Sequence, residues 1–389
     1  MTPVAGPAAP RRRSTIHEVA ARAGVSAQTV SRVVNGKGEI SAQTRARVQR
    51  VIDELRYRPS ASARSLVSQR TMTIGLVAHE LGGSFLGQAV QAAIEEAHRL
   101  GYFFVLAGVG APPREEPAYV RLLLERRVEG LLFVRASLGD DAELLRALVA
   151  DQIPLVTIAC YAPGVALDVV DVDNRDAGRQ ATAHLLATGR RRIAQLAGPE
   201  GWKAAADRAQ GYADALAAAG AAADPALTVR AADWGAPAGY AAARALLARG
   251  QRVEGRGGGE SGPPQGVKAW GGRAARSRGC PPAGAGFDAL FAHADSLAFG
   301  ALRALREFGR RVPEDVAVVG FDDLPLAAFA EPPLTTIRQP AAEAGRLAVR
   351  RLVERLAEPN RPKEVIQLKA ELVGRASTGA APVTAPRSR

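Results

Sequence analysis

Apolar residues at helical spacing mark the first sixty positions of the chain and predict three short helices. The Thr15–Glu18 spacing fits a capping box, and Gly24 fits the left-handed turn that ends a helix. Ser26 and Ser41 are expected to cap the second and third helices. The side chains expected to point inward are Ile16, Val19, Ala20, Ala23, Val30, Val33, Val34, Val48, Ile52 and Leu55.

The pattern changes at Thr73, where short apolar runs begin to alternate with amphipathic helical stretches. Such alternation predicts βαβ units, whose parallel strands are covered by helices on both faces. This part of the chain is too long for one comfortable core, so two sheets are expected, with a ligand cleft at the carboxyl ends of their strands. The predicted strands are 73–78, 102–108, 130–134, 154–159, 192–198, 288–294 and 316–321; the predicted helices are 85–100, 116–127, 176–188 and 205–219.

Composition narrows the class of protein. With 389 residues, of which 47% are hydrophobic, the chain is long enough for two or three globular domains. Its two cysteines, Cys160 and Cys280, form no CxxC pair, which argues against a disulfide framework and a structural zinc site. The five histidines show no metal-ligand spacing, and no metal or cofactor is predicted. Because the sequence shows neither a membrane-spanning apolar run nor a signal-peptide core, the expected location is the cytoplasm, with no membrane partner.

Positive charge is concentrated in two segments. The formal net charge is +12, of which residues 1–70 contribute +9 and residues 252–286 contribute +4, so the remainder is close to neutral. These two segments are therefore the candidates for contact with a polyanion.

Three short helices with a glycine turn between the first two predict a helix-turn-helix unit. Its second helix would enter the major groove of DNA, with Ala27, Gln28 and Arg32 exposed near its start to read base edges. Small polar side chains around the same helix suit phosphate contacts, and these are Ser26, Thr29, Ser31 and Asn35. A helical bundle with a solvated polar face would give the same pattern, but the local charge of +9 favours DNA.

The string EVAARAGVSAQTVSRVVNG, followed by Tyr57-Arg58-Pro59 and ARSL, resembles the headpiece of the lactose/galactose repressor family of bacterial transcription regulators. The resemblance implies that the segment after the third helix is a hinge, which becomes helical when two subunits lie side by side on an operator. In that arrangement Leu66 would wedge into the central base step of the minor groove. An ordinary linker leucine is the alternative, and Ser60 stands where the family often has Asn.

The resemblance continues through the second part of the chain, in segments 168–199, 208–216, 295–305, 318–327, 332–340 and 371–379. It implies an α/β two-lobed core like that of periplasmic-binding proteins, with parallel sheets, behind an N-terminal all-α helix-turn-helix headpiece. The implied boundaries are 14–58 for the headpiece, 59–71 for the hinge, 72–170 with 338–360 for the first lobe, 171–337 with 361–379 for the second lobe, and 380–389 for a disordered tail.

Four residues are implied to contact a small-molecule effector between the lobes. Arg208 and Asp322 match a family arginine and acid that reach the effector, and a guanidinium opposite a carboxylate suits a polyol. Trp234 matches an aromatic position that stacks on rings, and Phe85 is a candidate apolar wall. Each also has a structural interpretation, as a helix ion pair or a core aromatic. Ala294 stands where the family usually has Asn, which leaves the identity of the effector open.

Together these features predict a repressor that binds a pseudo-palindromic operator as a homodimer and responds to a sugar-like effector, as inducer or corepressor. The alternative is a periplasmic-type sugar-binding receptor without a DNA role. An enzyme is not predicted: the only GxGxxG, at 257–262, is followed at once by Pro263 and Pro264, where a dinucleotide site needs a helix.

Residues 252–286 interrupt this pattern. They include eleven glycines and four prolines, a composition that cannot support a packed core, where the family has only a few residues. Three interpretations are open: a basic arm that contacts nucleic acid, a tolerated disordered insertion, or a stretch translated out of frame and then restored. The last two are favoured, because the segment lies in the lobe expected to be far from the headpiece.

Overall fold

The computed structural model of the chain describes residues 14–36, 38–57, 70–78, 85–107, 115–134, 142–254 and 286–379. Contacts within the chain divide it into two units, residues 1–71 and residues 72–389. The first is helical, and the second is an α/β unit with two sheets.

The first unit contains three helices, α1 (Ile16–Ala23), α2 (Ala27–Val34) and α3 (Ala42–Glu54). The predicted capping box is confirmed: the Thr15 hydroxyl accepts the Glu18 N–H at 3.3 Å, and the Thr15 N–H donates to the Glu18 carboxylate at 3.2 Å. Gly24 has a φ of +64°, as predicted for the turn. The buried hydrophobic side chains among the described residues of this unit are Val19, Ala20, Ala23, Val30, Val33, Val48 and Val51.

Two six-stranded sheets form the second unit. The first sheet has the order β11-β5-β4-β3-β1-β2 and is parallel throughout; the second has the order β12-β10-β9-β8-β6-β7, and only β12 runs antiparallel. The strands are β1 (Thr73–Ala78), β2 (Phe103–Ala107), β3 (Gly130–Val134), β4 (Leu155–Ile158), β5 (Asp168–Val172), β6 (Ile193–Ala197), β7 (Thr228–Arg230), β8 (Ala289–Ala292), β9 (Ala317–Asp322), β10 (Thr335–Arg338), β11 (Val365–Leu368) and β12 (Glu371–Val373).

Helices alternate with these strands, as the sequence pattern predicts. They are α4 (Phe85–Arg99), α5 (Glu116–Glu125), α6 (Ala142–Ala150), α7 (Asn174–Ala187), α8 (Lys203–Ala218), α9 (Ala236–Glu254), α10 (Asp295–Glu307) and α11 (Ala341–Ala357). Strands β3, β4, β5, β6 and β8 are buried along their whole length, because the helices cover the sheet faces.

The chain passes between the two sheets three times, after β5, after β10 and after β11. Two of these crossings lie elsewhere than the sequence boundaries put them. Asp171 and Val172 still belong to β5, and β11 pairs with β5 in the first sheet, although residues 361–379 were expected in the second lobe. Long-range pairing decides which sheet a short strand joins, and the local pattern of β11 carries no such information.

Strand β5 was not predicted because two acidic residues interrupt its apolar run. Asp168 is fully buried, and its carboxylate accepts from Arg351 Nε at 2.9 Å and from Arg355 Nη2 at 2.7 Å. Both arginines project from α11 and are themselves buried. The charge on Asp168 is thus neutralised by partners almost two hundred residues away, which a local pattern cannot reveal.

Glycines allow α7 and α8 to pack closely. A Cβ on Gly178 of α7 would lie 2.5 Å from the Arg208 carbonyl oxygen on α8, and a Cβ on Gly211 would overlap the Arg175 carbonyl. The contact holds the backbone of Arg208 against α7, so the position of the Arg208 side chain depends on two residues without side chains.

Candidate functional site

The exposed face of α2 is the candidate DNA-reading surface. Gln28 and Arg32 are exposed, as expected for side chains that read base edges. Ala27 was also expected to be exposed, but it is half-buried and packs against the core of the three helices. Ala27 is partly covered because it is the first residue of α2, and the glycine turn brings the start of this helix close to α1.

The four small polar residues around α2 are held by one another. Ser26 Oγ accepts the Thr29 N–H at 3.1 Å and lies 3.0 Å from Thr29 Oγ1. At the other end Asn35 Nδ2 donates to Ser31 Oγ at 3.3 Å. Hydroxyls can accept one bond while donating another, so these contacts leave capacity for phosphate oxygens. Leu66, the predicted wedge, lies outside the described residues, as does the rest of 58–69.

A cavity of about 620 Å³ lies between the two sheets of the second unit, at the carboxyl ends of their strands. All four residues predicted to contact an effector line it. Its wall consists of Phe85, Leu86, Ala159, Asp171, Asn174, Pro199, Trp202, Ala204, Arg208, Ala232, Asp233, Trp234, Gly235, Ala294, Ser296, Asp322, Leu324 and Gln339.

Arg208 is the one cation among the described residues of this cavity wall and is only 5% exposed. Its Nε donates to Asn174 Oδ1 at 2.8 Å, its Nη1 donates to the His293 carbonyl, and its guanidinium lies 3.5 Å from the centre of the Phe321 ring. Burial lowers the pKa of Arg208 to about 10, against the opposing effect of Asp322 and other carboxylates. The guanidinium therefore stays charged at neutral pH in a fixed orientation.

Asp322 faces the same cavity from the end of β9. Its Oδ1 accepts from Gln339 Nε2 at 2.5 Å, and its backbone has a φ of +119°, a conformation rare outside glycine. Burial raises the pKa of Asp322, and the charge of Arg208 opposes that rise. Arg208 and Asp322, both within the described residues, form no direct ion pair, so each retains capacity for a ligand between them.

Asp295 supports this site from behind. The carboxylate is fully buried and accepts from Thr336 Oγ1 at 2.5 Å and from the Leu324 N–H at 2.7 Å. Gly320 makes room for it, because a Cβ there would overlap Asp295 Oδ1. Burial and the nearby Asp322 charge raise the pKa of Asp295. Asp295 therefore contacts the turn after β9 and strand β10. Its side chain does not cap α10, the helix in which it is the first residue.

His293 is a buried structural residue beside Arg208. It follows β8 directly; its Nδ1 accepts the Gly198 N–H at 3.2 Å and its Nε2 lies 3.2 Å from Gln195 Oε1. Burial holds the pKa of His293 well below its ordinary value, which fits a neutral ring with its proton on Nε2. The side chain joins β6 to β8, while its carbonyl receives Arg208.

Two tryptophans, Trp202 and Trp234, contribute to the aromatic part of the wall together with Phe85. Trp234 packs its ring directly over Gly198, where a Cβ would overlap it, and meets Trp202 edge to face with ring centres 5.4 Å apart. The Nε1 atom of Trp234 is buried and has no hydrogen-bond partner within the described residues. Such a donor is costly to leave unpaired, and a ligand oxygen could satisfy it.

Sequence reasoning missed six other polar or aromatic members of the wall, Asp171, Asn174, Trp202, Asp233, Ser296 and Gln339. Asp171, Asn174 and Gln339 lie at or beside the points where the chain crosses between the sheets. The polar residues that follow the apolar runs of the strands could have indicated these positions. Only the sheet topology shows that the carboxyl ends of the strands converge on one cavity.

Comparison with known proteins gives three matching family models. Residues 15–60 match bacterial regulatory proteins of the lacI family, and residues 71–254 match periplasmic binding proteins and the sugar binding domain of the LacI family. Residues 182–378 match a periplasmic binding protein-like domain. Over 375 residues the chain is 38% identical to the HTH-type transcriptional regulator CelR of Thermobifida fusca, covering 94% of this chain and 99% of that protein. The chain belongs to the LacI family.

Other LacI-family proteins match over the same length. The HTH-type transcriptional repressor PurR of Vibrio atlanticus is 30% identical, covering 94% of this chain and 98% of PurR. A solved Lac repressor dimer bound to operator and the anti-inducer ONPF has a TM-score of 0.78 at 29% identity, covering 95% of this chain and 100% of that one. A CelR-cellobiose complex has a TM-score of 0.66 at 35% identity, covering 94% and 100%.

These matches confirm the predicted resemblance and fold class, and they make this LacI-family chain a helix-turn-helix transcription regulator. Its relatives are transcription regulators and not enzymes. The alternative of a receptor without a DNA role is wrong, because the headpiece model matches residues 15–60. No helix in the described part of the chain is both long and apolar enough to span a membrane, and no cluster of potential metal ligands occurs among the described residues.

Proposed function

We propose that this LacI-family regulator is a cytoplasmic repressor that binds a pseudo-palindromic operator as a homodimer and responds to a sugar-like effector. The observation that carries the proposal is the cavity between the two sheets, which joins Arg208, Asp322 and two tryptophans in a chain that also has a helix-turn-helix unit. The solved Lac repressor dimer on its operator supports the same stoichiometry here.

On the DNA side, Gln28 and Arg32 are proposed to read base edges in the major groove, and Ala27 to contact a thymine methyl from its half-buried position. Ser26, Thr29, Ser31 and Asn35 would hold the phosphates. Leu66, supplied by each subunit, would open the central base step.

On the effector side, the chemistry of the wall supports a molecule that combines hydroxyl groups with an apolar ring face. Arg208 donates, Asp322 accepts, and Trp234 together with Phe85 offers apolar surface. Carbohydrates have this combination, and the relative whose structure holds cellobiose has a similar fold. The proposed effector is therefore a sugar or a related polyol.

Coupling between effector and operator is proposed to pass through Asp322, Asp323 and the crossing segments. Gln339, which holds Asp322, directly precedes Pro340 and helix α11 of the first lobe. Asp323 accepts from Arg338 at 2.7 Å and from Arg375 at 2.6 Å, so it ties β10 to the segment after β12. An effector that competes with Gln339 for Asp322 would change how the chain is held where it crosses between the sheets. The coupling free energy between effector binding and operator binding is typically about 1–3 kcal/mol.

The proposal is tested by operator binding in the presence of candidate effectors. An operator is selected from random DNA with the full chain, and its affinity is measured by fluorescence anisotropy while sugars, polyols and nucleosides are added, beginning with cellobiose. At least one sugar or polyol should change operator affinity by about 5- to 150-fold in either direction. A response confined to nucleosides, or no response to any compound, would contradict the proposed effector.

Asp322→Asn provides the matched variant, because asparagine keeps the shape and tolerates a positive φ. It should bind the operator with unchanged affinity but lose the response to the active compound. A variant that still responds as the wild type does would show that Asp322 takes no part in effector control.

A further inference from the structure

We propose that Asp171 is a specificity-determining residue of the cleft, and that it restricts the effector to molecules that donate hydroxyl groups and carry no negative charge. The inference rests on the proposed function, because it concerns the effector of that same cavity. The proposal adds Asp171, a residue of the first sheet, to Arg208 and Asp322 of the proposed effector site. It also adds a rule on the charge of the effector, which Arg208 and Asp322 by themselves do not imply.

The carboxylate of Asp171 is built into the wall. It is only 3% exposed and lines the cavity from β5, whereas Asp322 lines it from β9 in the other sheet. Its Oδ2 accepts from the Tyr161 hydroxyl at 2.8 Å, and its Oδ1 accepts the Val172 N–H at 2.8 Å. Both oxygens thus receive donors, which fits an ionised carboxylate, and each keeps a lone pair for a ligand donor.

Asp171 has no ion-pair partner among the described residues, although a lysine is close. Lys203 lies with its Nζ 4.8 Å from the centre of the Tyr161 ring, and its charge is taken by Asp207 on the next turn of α8. Tyr161 contacts both side chains, with its ring facing Lys203 and its hydroxyl donating to Asp171. No salt bridge within the described residues neutralises Asp171, so its ionised carboxylate would present a negative charge to the cavity.

The charges of the described part of the wall support the same conclusion. Its charged side chains are Asp171, Asp233, Asp322 and Arg208, so within the described residues three carboxylates face one guanidinium. Arg208 already donates to Asn174 and to the His293 carbonyl. An anionic ligand would meet the buried carboxylate of Asp171 and the half-buried carboxylate of Asp322 from opposite sides of the cavity, where like charges repel. A hydroxyl group would instead find acceptors on both walls.

The test compares pairs of sugars that differ only by oxidation of the C6 hydroxymethyl group to a carboxylate: glucose with glucuronate, galactose with galacturonate, and cellobiose with its C6-oxidised uronate. Binding to the full chain is measured by calorimetry. In the pair that binds, the neutral sugar should bind more tightly than the uronate, and Asp171→Asn should reduce that preference by about tenfold. Asp214→Asn, which removes a carboxylate of α8 outside the cavity wall, should leave the preference unchanged.

A second measurement needs no known effector. In a Trp270→Phe background, the remaining tryptophans Trp202 and Trp234 both line the cleft, and their fluorescence is quenched with iodide, an anion, or with acrylamide, which is neutral. Asp171→Asn should raise quenching by iodide about twofold and leave quenching by acrylamide unchanged.

The outcomes separate the two proposals. Tighter binding of a uronate, or equal iodide quenching with and without Asp171, would overturn the charge rule while leaving an effector cleft in place. If iodide quenching responds to Asp171→Asn but no sugar of any pair binds, the charge rule is supported and the sugar class of the proposed function is contradicted.

Discussion

At the scale of single residues, the two arginines Arg32 and Arg45 show how the headpiece is expected to separate sequence recognition from general affinity. Both side chains are exposed, but Arg32 lies on α2 and Arg45 on the first turns of α3. An arginine that reads guanine contributes to one base pair, whereas an arginine on a phosphate contributes equally to every sequence.

Arg32→Ala should therefore reduce discrimination between operator and random DNA by about 1–3 kcal/mol. Arg45→Ala should weaken both complexes alike and lower the dependence of binding on salt by about one ion. Titrations of both variants against operator and random DNA, at several salt concentrations, measure the two effects. The assignment of Arg32 fails if its variant discriminates as well as the wild type.

The charged residues of the cleft show the limit of residue-by-residue prediction. Arg208 and Asp322 can be predicted from the sequence as effector contacts because their motifs resemble those of a known family. In the structure both lie on the cavity wall. No motif in the sequence predicts that Asp171 lines the cleft. Its environment depends on Tyr161, ten residues away, and on the opposite sheet, so burial and charge could be assigned only after folding.

At the scale of secondary-structure elements, the close packing of α7 on α8 holds Arg208, the proposed effector contact, in place. Gly178 faces the backbone of Arg208, and a methyl group at this position would lie 2.5 Å from a carbonyl oxygen of a rigid helix. Neither helix can yield without moving the residues that follow it. Helix α8 also carries Tyr212, whose hydroxyl donates to the Ile193 carbonyl of β6 at 2.8 Å.

Gly178→Ala should lower the free energy of unfolding of the second unit by about 1–3 kcal/mol, because overpacking forces the helices apart. It should also weaken effector binding, since Arg208 moves with α8. Chemical denaturation and calorimetry measure these changes, and operator affinity, which depends on the headpiece, serves as the internal control. Unchanged stability and effector affinity would show that the helix contact does not position Arg208.

Element prediction succeeded where apolar runs were long and failed where polar residues entered a strand. Strands β1, β3 and β9 coincide closely with predicted runs. Strand β5 was missed because Asp168 and Asp171 interrupt it. Strands β10 and β11 have four residues each, with polar residues among them, and β7 and β12 have only three. Each missed strand is stabilised by pairing with a neighbouring strand, which the local pattern of apolar residues does not predict.

At the scale of the whole molecule, the segment 252–286 lies between α9 and β8 in the second lobe, except that residues 252–254, predicted to be part of the insertion, form the end of α9. Residues 255–285 lie outside the described part of the chain, so the sequence interpretations of this segment stay predictions. Strand β8 pairs with both β6 and β9 in the middle of its sheet, and α9 packs its apolar face in the core of the same lobe.

Deleting residues 254–284 should therefore leave operator binding and effector response within about twofold of the full chain, if the segment is an insertion of either favoured kind. Anisotropy with the selected operator, with and without the active sugar, provides the measurement. A fall in operator affinity together with a smaller salt dependence would instead identify the segment as a basic arm on nucleic acid.

The sequence by itself determined the helix-turn-helix headpiece, the alternation of strands and helices, and the family. These features depend on local capping, turn chemistry and periodicity, which are carried by residues within a few positions of one another. Tertiary structure alone decided which sheet β11 joins, how Asp168 is neutralised, and that Asp171, Asn174 and Gln339 share one wall with Arg208. The physical reason is that burial and charge in the cleft arise from groups that approach across two sheets, and their separation along the chain has no local signature.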